Sequence, residues 1–468
     1  MSNIKPLAAQ IAQEQSARRQ GGQEVRPEPT KSEPGERYGI GVGEKWMPPP
    51  ITSIEDTGLS ALSVAELILK VLYFSGNMTG YRVAEIVRLP FNGVVDQLME
   101  YLKHERTVEV TGSSSGFGEG AYQYVITSLG ISRAREALER SQYAGPAPVP
   151  IHRYTKAIIE QHRKILVSKD IMEQALSHLV VSQRILDMVG PAVNSGRSIF
   201  LYGPPGNGKT TISEAVGRVV LGQGIYIPYA IDIDGQIVNV FDSVNHEVID
   251  TNSPTATGGT GRIKSDPRWV RIRRPVIMVG GELTLESLDL VYDPTNKFYE
   301  APFQVKANGG MFLIDDFGRQ QVRPRDLLNR WIVPLEKRAD FLTLHTGRKL
   351  EVPFDVLIVF STNLEPRDLV DEAFLRRIRH KIDIVDPTYE EFRDIFMRVA
   401  RARGLPYDDK MLAYLIQEWY IKLDRSLRAV HPRDLIDQMK DISGYLGVPF
   451  EMNRDLLDRA CEAYFVEL

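Results

Sequence analysis

The sequence predicts an α/β chain: a parallel sheet sandwiched by helices, with a helical domain after it and a small α+β module before it. Three observations carry this. Short, largely apolar runs at residues 198–202, 276–279, 311–314 and 356–361 are continuous rather than alternating, the pattern of strands buried on both faces. From Pro387 onward the apolar residues return at helical spacing, over 389–403, 408–423, 432–446 and 454–465. Between 59 and 140 the same spacing gives short helices, then two alternating stretches that suit a hairpin.

Bulk composition bounds the rest. A chain of 468 residues has room for about three domains. A formal net charge of -4 provides no broad basic field for nucleic acid or an anionic membrane. The single cysteine, Cys461, excludes an internal disulfide framework and a multi-cysteine zinc site, and is expected as a packed apolar residue. The histidines show no metal-ligand spacing. No run approaches the ~18 apolar residues that span a bilayer, and residues 1–20 lack an apolar signal core. The expected location is the cytoplasm.

Residues 1–55 are rich in Gln, Glu, Pro and Gly and are expected as a disordered tail. A short amphipathic piece at 4–17 is available to fold against a partner. The module spans 56–142. Val64, Leu67, Ile68 and Val71 mark its first helix, 81–87 its second, with Thr79 as N-cap, and 91–104 its third. Strands at 108–111 and 122–126 flank a Gly/Ser loop, and a last helix runs over 131–141. This order resembles a winged helix. Its candidate recognition helix sets Asp96, Glu100 and Glu105 against Lys103 and Arg106. A DNA reader needs an excess of cations, so docking on protein or spacing is favoured over DNA binding, with both open. Residues 143–153 are expected as a stiff Pro-rich linker, 154–386 as the α/β core with an inserted hairpin at about 222–275, and 387–468 as a helical lid.

The chemistry begins where the run 198–202 meets Gly203-Pro204-Pro205-Gly206-Asn207-Gly208-Lys209-Thr210, followed by Thr211 and a helix. This is the Walker A pattern in full. The glycines let backbone N–H groups face phosphates, Lys209 supplies a cation, and the Thr210 hydroxyl can ligate Mg²⁺. The helix start adds a favourable dipole. About a hundred residues on, the run 311–314 ends in Asp315-Asp316, a Walker B pattern in which Asp315 would hold Mg²⁺ through water. The run 356–361 ends in Thr362-Asn363.

With these signals in order, residues 154–468 resemble the AAA+ ATPase superfamily, with wording similar to MoxR-like and related bacterial members. Tyr299-Glu300-Ala301-Pro302 before Gly309-Gly310-Met311-Phe312 resembles the segment preceding Walker B there and in bacterial enhancer-binding activators. The activators' Gly-Ala-Phe-Thr-Gly-Ala loop is absent. The resemblance implies a P-loop NTPase core, ATP and Mg²⁺ as ligands, and self-association into a ring, a hexamer being the expected size. It implies that Asn363 orients water against the γ-phosphate. It places Asp316 where most active members carry Glu to polarise that water, and the shorter side chain leaves slow turnover open. The segment 371–378 resembles the one carrying the arginine finger, so Arg376 or Arg377 would enter the neighbouring subunit's site. An Arg supplied in trans accelerates such hydrolysis by roughly 10³–10⁵. In His431-Pro432-Arg433-Asp434-Leu435, Pro432 suits a first helical turn and Arg433 falls at the lid's sensor arginine.

Residues 222–308 form a long departure between the Walker A helix and Walker B. Strands at 225–233 and 236–241 surround Asp234-Gly235, a hairpin signal, and 252–265 is Thr- and Gly-rich and expected to be mobile. Such an insert would face a pore or a partner; a decorative hairpin is an equal account. Trp269, Trp331 and Trp419 are expected in cores. The basic run Arg376, Arg377, Arg379, His380, Lys381 suits an inter-subunit role better than a nucleic-acid patch. Three functions follow: an ATP-driven remodeller of a protein client, a DNA-dependent ATPase, and a nucleotide-gated scaffold with weak hydrolysis.

Overall fold

The computed structural model describes residues 46–113, 118–162, 167–220, 224–249, 265–369 and 375–465. Its central sheet grows from the apolar runs. Strands β1 (Ile199–Tyr202), β2 (Val276–Val279), β3 (Met311–Ile314), β4 (Leu357–Ser361) and β5 (His380–Asp383) lie in the order β5-β1-β4-β3-β2, with every pairing parallel. The α/β class predicted from the sequence is the class observed, in the strand order of a P-loop fold. Side chains alternate across the sheet. Ile199, Leu201, Met311, Leu313 and Val359 pack with Met172, Ile185, Val189, Ile212 and Val216 on one face. Phe200, Phe312, Ile314, Ile358 and Phe360 pack on the other with Leu327, Leu328 and Trp331. Helix α1 (Lys209–Val220) belongs to the first layer and α2 (Pro324–Lys337) to the second. Burial on both faces explains the unbroken apolar runs. Strand β5 escaped the sequence reading because, at the sheet edge, it buries Ile382 while His380 and Lys381 are only partly covered or exposed.

The insert is more than a hairpin. Tyr229 divides the expected strand 225–233. Gly224–Pro228 pairs antiparallel with Trp269–Arg273, whereas Ala230–Ile233 and Gln236–Asn239 form the hairpin about Asp234-Gly235. That hairpin is the middle of a five-stranded mixed sheet with Val149–Pro150, Phe298–Glu300 and Val291–Asp293. Tyr154, Ile158, Ile231, Val238, Tyr299 and Leu342 give this second sheet its own core. Residues 250–264, which hold nearly all of the Thr/Gly-rich segment, lie outside the described residues.

The module contains helices Ala61–Ser75, Gly80–Val87, Asp96–His104 and Ser128–Arg140, and a three-stranded antiparallel sheet with Tyr122–Ile126 between Asn77–Thr79 and Val108–Ser113. Thr79 accepts from the Arg82 N–H as the expected N-cap. The third helix starts late because Gly93 turns the chain at φ 84, where a Cβ would stand 2.5 Å from the Thr52 carbonyl oxygen.

Two expected boundaries are corrected. The tail does not extend to residue 55: Ile51 and Ile54 are buried, and Trp46 packs edge-on against Tyr226 and Trp269 while donating to Glu160 at 2.7 Å. Residues 1–45, with the amphipathic piece, lie outside the described residues. Nor is 143–153 a free spacer. Tyr143 and Ala147 are buried in the module's core, Val149–Pro150 joins the second sheet, and Ile151 begins a helix. Apolar residues between the prolines let extended backbone be buried rather than solvated.

The lid packs α3 (Tyr389–Arg403), Asp409–Leu415 with its continuation Ile416–Ile421, α4 (His431–Leu446) and Arg454–Tyr464 around Phe392, Phe396, Leu435, Met439 and Leu457. Thr388 and Glu391 form a capping box at the start of α3. Cys461 is buried, which pushes its thiol up to about 12. Trp331 and Trp269 are buried, and Trp419 is half-buried against the lid core. Among the described residues no helix is long and apolar enough to cross a membrane.

Candidate nucleotide site

The loop 203–208 leaves the C-terminal end of β1, which lies between β4 and β5. The connection leaving β1 runs to β2 at one edge and that leaving β4 runs to β5 at the other, so a crevice opens between them for a ligand. Gly203 turns at φ 131, where a Cβ would meet the Ile384 carbonyl oxygen at 2.4 Å. Gly206 has φ 82, and a Cβ there would lie 2.7 Å from Val430 Cγ1. Pro204 and Pro205 stiffen the turn between them, Gly208 has φ 81, and α1 begins at Lys209. Thr210 is half-buried and Thr211 exposed at that helix start.

Lys209 is buried, and its Nζ donates to the carbonyls of Gly203 at 3.0 Å and Pro204 at 2.9 Å and to Asn363 Oδ1 at 2.7 Å. Burial lowers its pKa, while the carboxylates of Asp315 and Asp316 work the other way. The Thr210 hydroxyl donates to Asp315 Oδ2 at 2.8 Å. Asn363 Nδ2 donates to Asp316 Oδ1 at 3.0 Å. Residues from the ends of β1, β3 and β4, between 47 and 154 positions apart in sequence, thus meet through hydrogen bonds at one place. A hydroxyl and a carboxylate in contact, beside a loop in which Gly203 and Gly206 leave no room for a Cβ, suit Mg²⁺, which takes few protein oxygens and completes its shell with water and phosphate. Among the described residues no cluster of three or more His, Cys, Asp or Glu side chains suits a metal.

Beside the loop is a cleft lined by Val181, Ile185, Ile212, Ile384, Ile395 and the Asn207 side chain. Its apolar residues come from the segment before β1, from α1, from the end of β5 and from the lid. The lid is tied to the loop here. Asn207 Nδ2 donates to Asp386 Oδ1 at 2.7 Å, its Oδ1 accepts from the Ala429 N–H at 3.1 Å, and the Val430 N–H donates to the Gly206 carbonyl at 2.9 Å. Arg428 pairs with Asp386 on the same spot.

The structure does not bring Arg433 onto the loop. Its Nε donates to the neighbouring Asp434 at 3.0 Å, and its side chain is 59% exposed. Helix α4 starts at His431, so Arg433 lies inside the first turn, whereas Arg428 lies in the irregular segment before it, whose Val430 N–H meets the loop. Arg377 donates from Nε to Glu336 of α2 at 2.6 Å. Arg376 is exposed, with no partner among the described residues. Residues 371–374 of that segment lie outside the described residues. Arg428, Asp386 and the cleft residues Val180 and Val181 were missed from sequence. The only local signals were the Asp386-Pro387 step after β5 and the Arg428-Ala429-Val430 run before the His-Pro-Arg match.

A family described as "Domain of unknown function (DUF8689)" matches residues 388–463, which is the lid and less than half of the chain. No curated protein matches. Among solved structures, a RuvB mutant from Thermotoga maritima is 11% identical with a TM-score of 0.37, covering 63% of this chain and 73% of that one. NtrX from Brucella abortus in complex with ATP is 14% identical with a TM-score of 0.36, covering 72% of this chain and 64% of that one. A further NtrX structure is 13% identical with a TM-score of 0.37, and this chain spans 57% of its length. Those scores are low, and the case for the site stands on the chain's own geometry.

Proposed function

We propose that the chain is an AAA+ ATPase, similar to MoxR-like members, that binds ATP with Mg²⁺ and uses its hydrolysis to remodel a protein client in the cytoplasm. The observation that carries this is the convergence of Lys209, Thr210, Asp315, Asp316 and Asn363 at the C-terminal ends of the inner strands β1, β3 and β4. Loop amides and Lys209 would bind the β- and γ-phosphates, and Lys209 exchanges its carbonyl and Asn363 partners for phosphate oxygens. Thr210 and Asp315 would hold Mg²⁺, which neutralises phosphate charge when bound. Asp316 would take the proton of the attacking water, with Asn363 orienting both. Arg376 or Arg377 of a neighbouring copy would supply the trans cation in a ring, expected as a hexamer.

The winged-helix-like module would recruit the client. The near balance of Asp96, Glu100 and Glu105 against Lys103 and Arg106 on the candidate recognition helix supports docking on protein over DNA binding.

Titration of the full chain with Mg-ATP tests the core of this reading. Saturable binding that Lys209→Ala abolishes is the expected result, and no binding by folded wild type removes the reading. A second reading, a nucleotide-gated scaffold, is kept by one feature, the short Asp316 side chain. It predicts binding and assembly without appreciable turnover.

A further inference from the structure

The turn that carries Asp316 is held from several directions. Asp316 is a non-glycine residue at φ 48, in the left-handed region, and Gly318 follows at φ 107. The Phe317 N–H donates to the Ser361 carbonyl at 2.7 Å, and the Thr362 hydroxyl donates to the Phe317 carbonyl at 2.6 Å. Both partners come from the end of β4. A side chain adds to this support. Gln320 Nε2 donates to the Asp315 carbonyl at 2.8 Å, and Gln320 Oε1 accepts from the Gly318 N–H at 2.7 Å. One amide therefore spans the turn, from the residue before Asp316 to the second residue after it. The Arg319 N–H closes on the Asp316 carbonyl at 3.0 Å beneath it.

Left-handed backbone is costly for most side chains and is tolerated best by Gly, Asn and Asp. Such a residue persists only where its surroundings over-determine it. Here they do, and the result is that the Asp316 carboxylate reaches Asn363 at 3.0 Å, one hydrogen bond from the Lys209 ammonium. A backbone turn has aimed a short acid into the site.

We infer that Gln320 is a positioning residue for the proposed hydrolysis, and that the left-handed turn it braces fits Asp316 to a place where a longer Glu would be misdirected. The inference rests on the ATPase reading and assigns Gln320 no contact with substrate. It gives the departure at Asp316 a physical sense: the residue type and the backbone are matched to one another.

The test compares wild type, Gln320→Ala and Asp316→Glu as full-length chains, measuring Mg-ATP affinity, kcat, KM and the thermal midpoint. Gln320→Ala is expected to keep ATP affinity within about twofold while kcat falls by about tenfold or more, the scale on which misplaced reacting groups lose rate. Asp316→Glu is expected to lower kcat as well. Should Gln320→Ala fail to fold, Gln320→Glu carries the same comparison, since it keeps the acceptor for Gly318 and loses the donor to Asp315. An unchanged kcat in the Gln320 variants overturns the inference, as does a loss shared equally by affinity, kcat and thermal midpoint, or a kcat raised by Asp316→Glu. Wild type that binds Mg-ATP without turnover overturns it too, because no carboxylate then serves the water. Wild type that binds no nucleotide removes the ATPase reading first, so the two failures are distinguishable.

Discussion

Lys209 carries its charge inside the protein and answers it with two carbonyls and the Asn363 amide. Those partners are neutral, so a triphosphate offers the ammonium a stronger, charge-assisted alternative. Replacing Lys209 by Ala removes that exchange, and calorimetric titration is expected to show no Mg-ATP binding while the thermal midpoint stays near wild type. The two lid arginines make a sharper comparison at this scale. Arg428 meets Asp386, which also holds Asn207 of the loop, whereas Arg433 meets only Asp434. Arg428→Ala is therefore expected to lower nucleotide affinity or turnover by about tenfold, since a lost charged hydrogen bond costs about 1.5–3 kcal/mol. Arg433→Ala is expected to change either by less than about threefold. Steady-state kinetics on both variants decides which residue links lid and nucleotide.

At the scale of single elements, α3 owes its start to the capping box, in which the Thr388 hydroxyl accepts from the Glu391 N–H at 3.2 Å and Glu391 answers the Thr388 N–H at 2.9 Å. Thr388→Ala is expected to cost about 1 kcal/mol in urea unfolding. Helix α2 is anchored by Trp331, fully buried against Phe312 and Phe360. Trp331→Ala is expected to cost about 3–5 kcal/mol, because the sheet cannot collapse into the space. Near the start of α4, His431 lies among Tyr420, Tyr464 and Phe465, and burial first, then Arg428, lowers its pKa to about 4. The unfolded chain therefore binds this proton at higher pH than the folded one. The stability His431 permits is complete above about 6.5 and declines as pH falls toward about 4. Thermal melts across that window should show a slope that His431→Phe reduces.

Across the whole molecule, the module, the linker and the insert are joined at Arg268. It is fully buried, and donates to the Thr57 carbonyl at 2.9 Å, the Pro148 carbonyl at 3.0 Å and the Asp266 carboxylate at 2.8 Å. Arg153 adds a bond to the Asp56 carbonyl, and Lys297 one to the Glu139 carbonyl at 2.7 Å. The module is thus held through backbone acceptors, those of Thr57 and Pro148 buried, rather than tethered by a spacer. Asp266→Ala strands the Arg268 charge, and is expected to cost about 3–5 kcal/mol. Denaturation followed by limited proteolysis should show the module released before the core unfolds.

The sequence by itself determined what is written in local period and local sterics. The glycines of 203–208, the apolar runs of four core strands and the helical spacing of the lid each report a conformation that neighbouring residues impose. Thr210, Asp315 and Asn363 were legible for that reason, since each sits where a run of known type ends. Only the tertiary structure decided which distant segments meet. It turned the interleaved apolar residues of 143–153 into a strand and helix, placed β5 at an edge where a polar tetrapeptide suffices, brought Arg428 rather than Arg433 to the loop, and set Gln320 across the turn of Asp316. All but the last depend on groups finding partners tens to hundreds of residues away; Gln320 bonds only two and five residues back, yet a hydrogen bond leaves no periodic mark on the chain that makes it.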